Sequence, residues 1–372
     1  MTVVASARRL AAPLARPVAG AIVRARTSGW SEHSRLFAVG DSGGWSVDDD
    51  ALHVAAVARR LGFDVGSPGW ARFATRQSVF LTSHFEALAP RWLDSSHRLG
   101  TAYLHGRPGT PGAPEFDEAF ETLRRRSDRI ARVQVTHEEM SELVLQAGVP
   151  SERVFRIPIG IDLDHFPLAD AELRSQARAA LALPQEAFVA GSFQKDGVGW
   201  GEGLEPKIVK GPDVLVAALE LLRREAPELH VLLTGPARGY VRCALARMGI
   251  PYVHVLARSR DELARAYHSL DVYLVASRQE GGPKAVLEAM ATGVPLVTTR
   301  VGQAQELVED GVNGWLVDVE DAEALATRAS LVRNGTDASV RSAARKTAEI
   351  HAHERLDPAW RQLFEGFVSP RG

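Results

Sequence analysis

Short runs rich in β-branched and aromatic residues alternate with helical periods along this chain, twice over, and that alternation leaves few folds open. Strand candidates in the first series cover 36–39, 78–82, 101–104, 130–135 and 154–157, with helical stretches such as 49–61 and 138–147 between them. The pattern relaxes over 158–184, and a second series then starts. Its strands are 188–192, 230–234, 252–255, 272–275, 296–299 and 315–317, and its helices lie near 212–223, 238–248, 260–268, 284–291 and 321–332. Alternation of this kind builds parallel sheets with helices on both faces. The expected fold class is α/β, with two Rossmann-like domains facing a cleft. A last helix near 358–367 carries Trp360, Leu363, Phe364 and Phe367 on one side and is expected to cross back to the first domain. The expected division is an N-terminal arm 1–34, a first domain 35–165, a second domain 166–355 and a closing helix 356–372.

Composition narrows the function classes. The 372 residues suit two domains better than one. A net charge of −2 gives no global pull toward nucleic acid. The one cysteine, Cys243, cannot form an internal disulfide and fits a reducing cytoplasm. The first 31 residues hold Arg8, Arg9, Arg16, Arg24 and Arg26 and no acid. The arginines interrupt every candidate signal-peptide core, and Pro13 and Pro17 argue against one continuous helix. An arm that packs locally is the preferred reading; a basic strip resting peripherally on the inner membrane face is the second.

Within the second series, the stretch RQEGGPKAVLEAMATG runs from Arg278 to Gly293. A buried strand precedes it, Gly281 and Gly282 permit a tight turn and close approach to a ligand, and Pro283 suits the helix start. The N–H groups of that start form a site for a phosphate. Glu280 stands on the strand side, and Glu288 lies about 7–8 Å into the helix from Pro283 at 1.5 Å per residue. Two carboxylates so placed bracket an anion and are suited to accept hydrogen bonds from hydroxyl groups on either side. A nucleotide sugar has that layout of hydroxyls, diphosphate and ribose. A solvated loop acid and a helix-surface acid are the plainer alternatives.

The same stretch resembles the donor-site signature of glycosyltransferase family 4, retaining enzymes of the GT-B fold. RVFRIPIGIDLDHFP is similar to that family's segment between the two domains, and GSFQKDGVGWGEGLEPKIVKGPDVL to the opening of its donor-binding domain. The resemblance runs from about Arg35 to the C-terminal helix. It implies that Glu288 takes the ribose hydroxyls, Glu280 the transferred sugar, and Gly281, Gly282 and Pro283 the sugar and diphosphate. Lys210 matches the family's lysine beside the diphosphate. Where the family has an arginine upstream, this chain has Lys195, with Lys207 as a rival. AYLHGRP resembles the first-domain segment whose histidine lies beside the donor sugar, which makes His105 the candidate. Gly43 and Gly44 fall in the family's glycine-rich loop bordering donor and acceptor. Asp162-Leu163-Asp164 looks like a metal-binding D-x-D but falls inside the interdomain segment, so no metal is assigned to it.

The function so implied is retaining, metal-independent transfer of a sugar from a nucleoside diphosphate to a glycan, a lipid-linked acceptor or a small molecule. His105, Lys210 and Glu280 are the expected catalytic residues, and no cofactor beyond the nucleotide-sugar co-substrate is expected. A nucleotide-sugar epimerase or hydrolase and a non-catalytic nucleotide-sugar-binding protein are the alternatives.

Overall fold

A computed structural model describes residues 34–41, 46–335 and 338–371. Residues 1–33 of the N-terminal arm, Gly43, Gly44 and Trp45 lie outside them. The chain forms two compact units. Of the described residues, the first takes in those up to Leu104 together with Asp117–Ile157 and those from Asp357 on; the second comprises His105–Phe116 and those from Pro158 to Leu356. The division thus falls at Ile157 rather than at the expected 165, and the His105 segment groups with the second unit rather than the first.

In the first unit, strands β1 (Leu36–Val39), β2 (Ser78–Leu81), β3 (Arg98–Ala102), β4 (Ile130–Val135) and β5 (Val154–Arg156) are parallel and lie in that order. A parallel bridge from Leu36 to Val65 adds a partner on the outer side of β1. One face of the sheet buries Phe37, Val79, Leu81, Leu99 and Val133 with Leu123, Met140 and Val144. The closing helix Asp357–Phe364 also belongs to this unit, as expected of a segment with its aromatics on one side. Trp360 lies edge-on to Phe80 at 6.0 Å, and Phe364 meets Phe63 at 5.5 Å. Strand β3 begins earlier than the expected 101, because Arg98 hid its start. The guanidinium of Arg98 lies over the Phe367 ring at 5.5 Å and donates to Gly366 O at 2.7 Å, so a charged residue sits in a strand covered by the chain's end.

The second unit contains β6 (Phe188–Ser192), β7 (Leu229–Thr234), β8 (Tyr252–Val255), β9 (Val272–Val275), β10 (Leu296–Thr299) and β11 (Trp315–Val317). All are parallel, in the order β11-β10-β9-β6-β7-β8. Helices Pro212–Glu225, Gly239–Arg247 and Ala322–Arg333 cover one face, and Arg260–His268, Lys284–Thr292 and Ala338–Ile350 the other. The stretch read as relaxed, 158–184, holds the helix Ala171–Ala180, capped by Asp170, which accepts from Leu173 N at 2.8 Å. Its buried side presents Arg178, wholly inaccessible, to Asp271 and to the carbonyls of Ser269, Gln185 and Ala187. An arginine in a core position breaks the apolar period, which is why the pattern fails there.

Candidate donor site of the second unit

The second sheet winds in opposite directions from β6 and β9, and these two strands are hydrogen-bonded neighbours. Open α/β sheets bind ligands at such a switch point, beyond the carboxyl ends of the strands. Beyond β6 come Phe193, Gln194 and Lys195; beyond β9 come Ser277, Gln279 and Glu280. Lys210 reaches the same place from a short turn, Ile208–Lys210. Gly211 follows with φ +61°, and a Cβ there would stand 1.8 Å from Ala276 O, so only glycine lets Lys210 approach this closely.

Lys210 Nζ lies 2.6 Å from Glu280 Oε2, while Ser277 Oγ donates to Glu280 Oε1 at 2.8 Å. Ser277 Oγ is also within 3.1 Å of Gln194 Oε1, and Gln194 Nε2 donates to Lys210 O at 2.9 Å. Burial pushes the Glu280 carboxyl up, but Lys210, Ser277 and the nearby His105 together hold it below the usual carboxylate range. Lys207 is lowered by burial first, then by Lys210 and Lys195; Lys195 is lowered by burial and then by Lys210. Three ammonium groups thus share one small region with Glu280. Lys195 and Lys207, both lowered beside Lys210, mark a region short of negative charge.

The segment 195–207 forms a hairpin. Gly197 bridges Pro206, Val198 N donates to Glu205 O at 2.9 Å, and Lys207 N donates to Asp196 O at 2.8 Å. Its far side is fastened to the start of Gly239–Arg247: Gly239 N and Tyr240 N donate to the carbonyls of Glu202 and Gly203 at 2.7 and 2.9 Å. Trp200 at the tip is 61% exposed, with the Lys195 ammonium 4.2 Å from its ring centroid. Beneath the hairpin, Arg238 and Asp196 form an ion pair, both with side chains at 0% exposure. Arg238 also donates to Ser192 O and Thr234 O at 2.5 and 3.0 Å. It therefore ties the ends of β6 and β7 to the root of the hairpin. Breaking such a pair costs about 3–5 kcal/mol. Sequence reasoning missed Arg238, because nothing local separates a buried arginine from a surface one.

Pro283 is the N-cap of Lys284–Thr292, with no side-chain cap at that end. Gly281 O accepts from Gln303 N at 3.1 Å, and the Gln303 amide clasps Ile159 through both its N–H and its C=O at 2.7 and 3.2 Å. Gln303, also missed in the sequence, fixes the Gly281–Gly282 turn. Glu288 lies further along the helix and accepts from Tyr267 Oη at 2.8 Å. Burial raises its carboxyl above the ordinary range, opposed by Tyr267, Lys284 and Arg260.

His105 enters from the segment His105–Phe116. Its ring meets Phe116 edge-on at 5.5 Å, and Ala113 and Phe116 pack with Val209, beside Lys210. Thr110 Oγ1 donates to Gln279 Oε1 at 2.9 Å, stitching this segment to the turn that carries Glu280. The structure thus brings together His105, Lys195, Lys207, Lys210 and Glu280, with Glu288 along the helix. Gly43 and Gly44 lie outside the described residues. Among the described residues no group of three His, Cys, Asp or Glu is placed to hold a metal ion. Asp162 is engaged by Arg260 at 3.3 Å and by Asp164 N at 3.2 Å.

Residues 201–332 match the family model for glycosyl transferases group 1. A D-inositol 3-phosphate glycosyltransferase of Catenulispora acidiphila is 30% identical over 307 residues, covering 74% of this chain and 67% of the relative. The chain belongs to the group 1 glycosyltransferases. A second relative of the same name, from Xylanimonas cellulosilytica, is 35% identical over 53% of this chain. The chain spans 46% of that relative, about half the length of most such relatives it matches. Among solved structures, Anabaena HepE in complex with UDP and glucose superposes with a TM-score of 0.70 at 18% identity, over 91% of this chain and 100% of its own. Sucrose-phosphate synthase from Thermosynechococcus elongatus gives 0.63 at 20%, over 78% and 73%. These likenesses show the GT-B fold for this group 1 glycosyltransferase. Among its described residues no helix is long and apolar enough to cross a membrane.

Proposed function

We propose that the chain transfers a sugar from a nucleoside diphosphate to a hydroxyl acceptor, with retention at the anomeric carbon and without a metal ion. The observation that carries this reading is the lysine cluster at the β6/β9 switch point, where Lys195, Lys207 and Lys210 gather around Glu280 and Glu115 acts on Lys207 as well. A diphosphate supplies the missing negative charge. One charge pair at 4 Å is worth about 4 kcal/mol at an effective dielectric of 20, and it grows in the transition state as the leaving group gains charge. Glu280, held by Lys210 and Ser277, is a poor nucleophile but a fixed acceptor for sugar hydroxyls. His105 adds a partner on the sugar side, and Glu288 accepts from the ribose. The acceptor's proton passes to the departing phosphate oxygen on the face where the new bond forms, which needs no separate general base.

UDP-bound structural neighbours and relatives named for an inositol phosphate acceptor suggest the first compounds to test. A thermal-shift screen of nucleoside diphosphates identifies the donor base, since a ligand bound only to the folded form raises its melting temperature. The matching nucleotide sugar is then incubated with polyol phosphates, glycans and lipid-linked acceptors, with and without chelator, and the product anomer read by NMR. An inverted product, or activity lost to chelator and restored by magnesium or manganese, would overturn the corresponding part of the reading. Rapid donor turnover without any acceptor would favour a hydrolase or epimerase instead.

A further inference from the structure

Glu288 takes its hydrogen bond from one of three clustered aromatic rings. Tyr267 is fully buried, with its ring centroid 4.7 Å from Phe193 and 5.2 Å from Tyr273. Tyr273 Oη accepts from Phe193 N at 3.0 Å, which fastens the residue just beyond β6 to the same cluster. Packed against these rings, Tyr267 donates its hydroxyl to Glu288 Oε2 at 2.8 Å, with the Tyr273 hydroxyl also within hydrogen-bonding reach. Among the described residues no protein donor reaches the other oxygen, Oε1, and Glu288 is only partly buried. One half of the carboxylate is therefore held and the other half faces outward.

We propose that Tyr267 is the positioning residue of the ribose pocket. By holding Oε2 it presents Oε1 in a fixed plane to a vicinal diol, and so makes the site select ribonucleoside over 2′-deoxyribonucleoside diphosphates. This rests on the reading that Glu288 receives the ribose. The torsion that turns a carboxylate about its last bond is broad, so an untethered glutamate spreads its acceptor directions. Fixing the group beforehand lowers the ordering cost of binding and sharpens rejection of an analogue that lacks one hydroxyl. The same contact bears on protonation. Burial favours the neutral acid; the Tyr267 hydroxyl, then Lys284 on Glu288's own helix and Arg260 on the helix of Tyr267, favour the carboxylate. Tyr273, on β9, also faces Glu288, and Arg238 acts on Tyr273 in turn. Removing the Tyr267 hydroxyl leaves the carboxyl easier to protonate, so diol binding is lost at a higher pH.

The test compares dissociation constants for UDP and 2′-deoxy-UDP, with the guanosine pair in parallel, from mildly acidic to mildly alkaline pH. Wild type, Tyr267→Phe and Glu288→Gln are measured side by side by calorimetry. Phenylalanine keeps the ring and its aromatic contacts, so the variant retains the core. Wild type should favour the ribonucleotide by roughly tenfold or more, the scale of a hydrogen bond to a charged group. Glu288→Gln should remove most of that preference. Tyr267→Phe should keep diphosphate binding, cut the ribose preference several-fold, and lose ribonucleotide affinity at higher pH than wild type. If Glu288→Gln keeps the full preference, the ribose reading of Glu288 itself fails. If Glu288→Gln loses the preference while Tyr267→Phe keeps both the wild-type ratio and the wild-type acid limb, Tyr267 is core packing alone and the positioning role falls.

Discussion

Glu280, in the turn ahead of the helix Lys284–Thr292, and Glu288, inside that helix, are two glutamates under opposite regimes. Both feel burial, which favours the neutral acid. Glu280 has an ammonium at 2.6 Å and ends below the usual carboxylate range; Glu288 has a phenol at 2.8 Å and ends above it. An ammonium in direct contact outweighs desolvation at Glu280, whereas a neutral hydroxyl aided by Lys284 and Arg260 does not at Glu288. Residue type and spacing therefore do not fix how a carboxylate behaves; its nearest partner does. In the proposed mechanism this difference separates an anchor for the sugar that keeps its charge to lower pH from a ligand for the ribose that loses it sooner.

The severest way to break the comparison is to take away the ammonium. Lys210→Met should lower kcat/KM by about 10²–10³, the scale of losing one preorganised charge stabiliser, with steady-state kinetics as the measurement. Glu280→Gln is next, with a fall of about 10- to 100-fold expected mainly in kcat and with nucleoside diphosphate affinity by calorimetry little changed. Glu288→Gln should do the reverse, costing about tenfold in diphosphate affinity and less in turnover once donor saturates. A smaller effect concerns pH. The acid limb of donor affinity should follow Glu288, whose carboxyl protonates first as pH falls, and should flatten in Glu288→Gln. The alkaline limb should follow Lys207, whose lowered ammonium loses its proton before an ordinary lysine, and Lys207→Met should shift it.

The slightest effect concerns folding stability. Glu288 is raised in the folded state, so the folded form binds the proton more tightly and stability falls as pH rises from the ordinary glutamate value through the raised one. Glu288→Gln should lack that decline and melt slightly higher at neutral pH. A melting curve equally pH-dependent in both proteins would place the decline elsewhere.

The second unit's strands were legible because each is a short apolar run ended by turn residues; β6, β8, β9, β10 and β11 lie where the runs do. The motif residues Lys210, Glu280 and Glu288 were legible through their spacing and the resemblance. Their partners were not. Arg178 and Arg238 look like surface residues until the tertiary fold closes around them, and Tyr267 becomes the Glu288 partner only when the helices on either side of β9 pack together. The start of β3 was hidden for the same reason, since its Arg98 is covered by residues from the far end of the chain.

That far end has a bearing on how the molecule is made. Phe364 and Phe367 are inaccessible in the first unit, and Phe367 O receives the Ser78 hydroxyl of β2. A ribosome extrudes β1 to β5 early but holds back the segment that completes their core. The earlier unit therefore keeps an uncovered apolar face until residues 357–368 have emerged, after the whole of the second unit has been made.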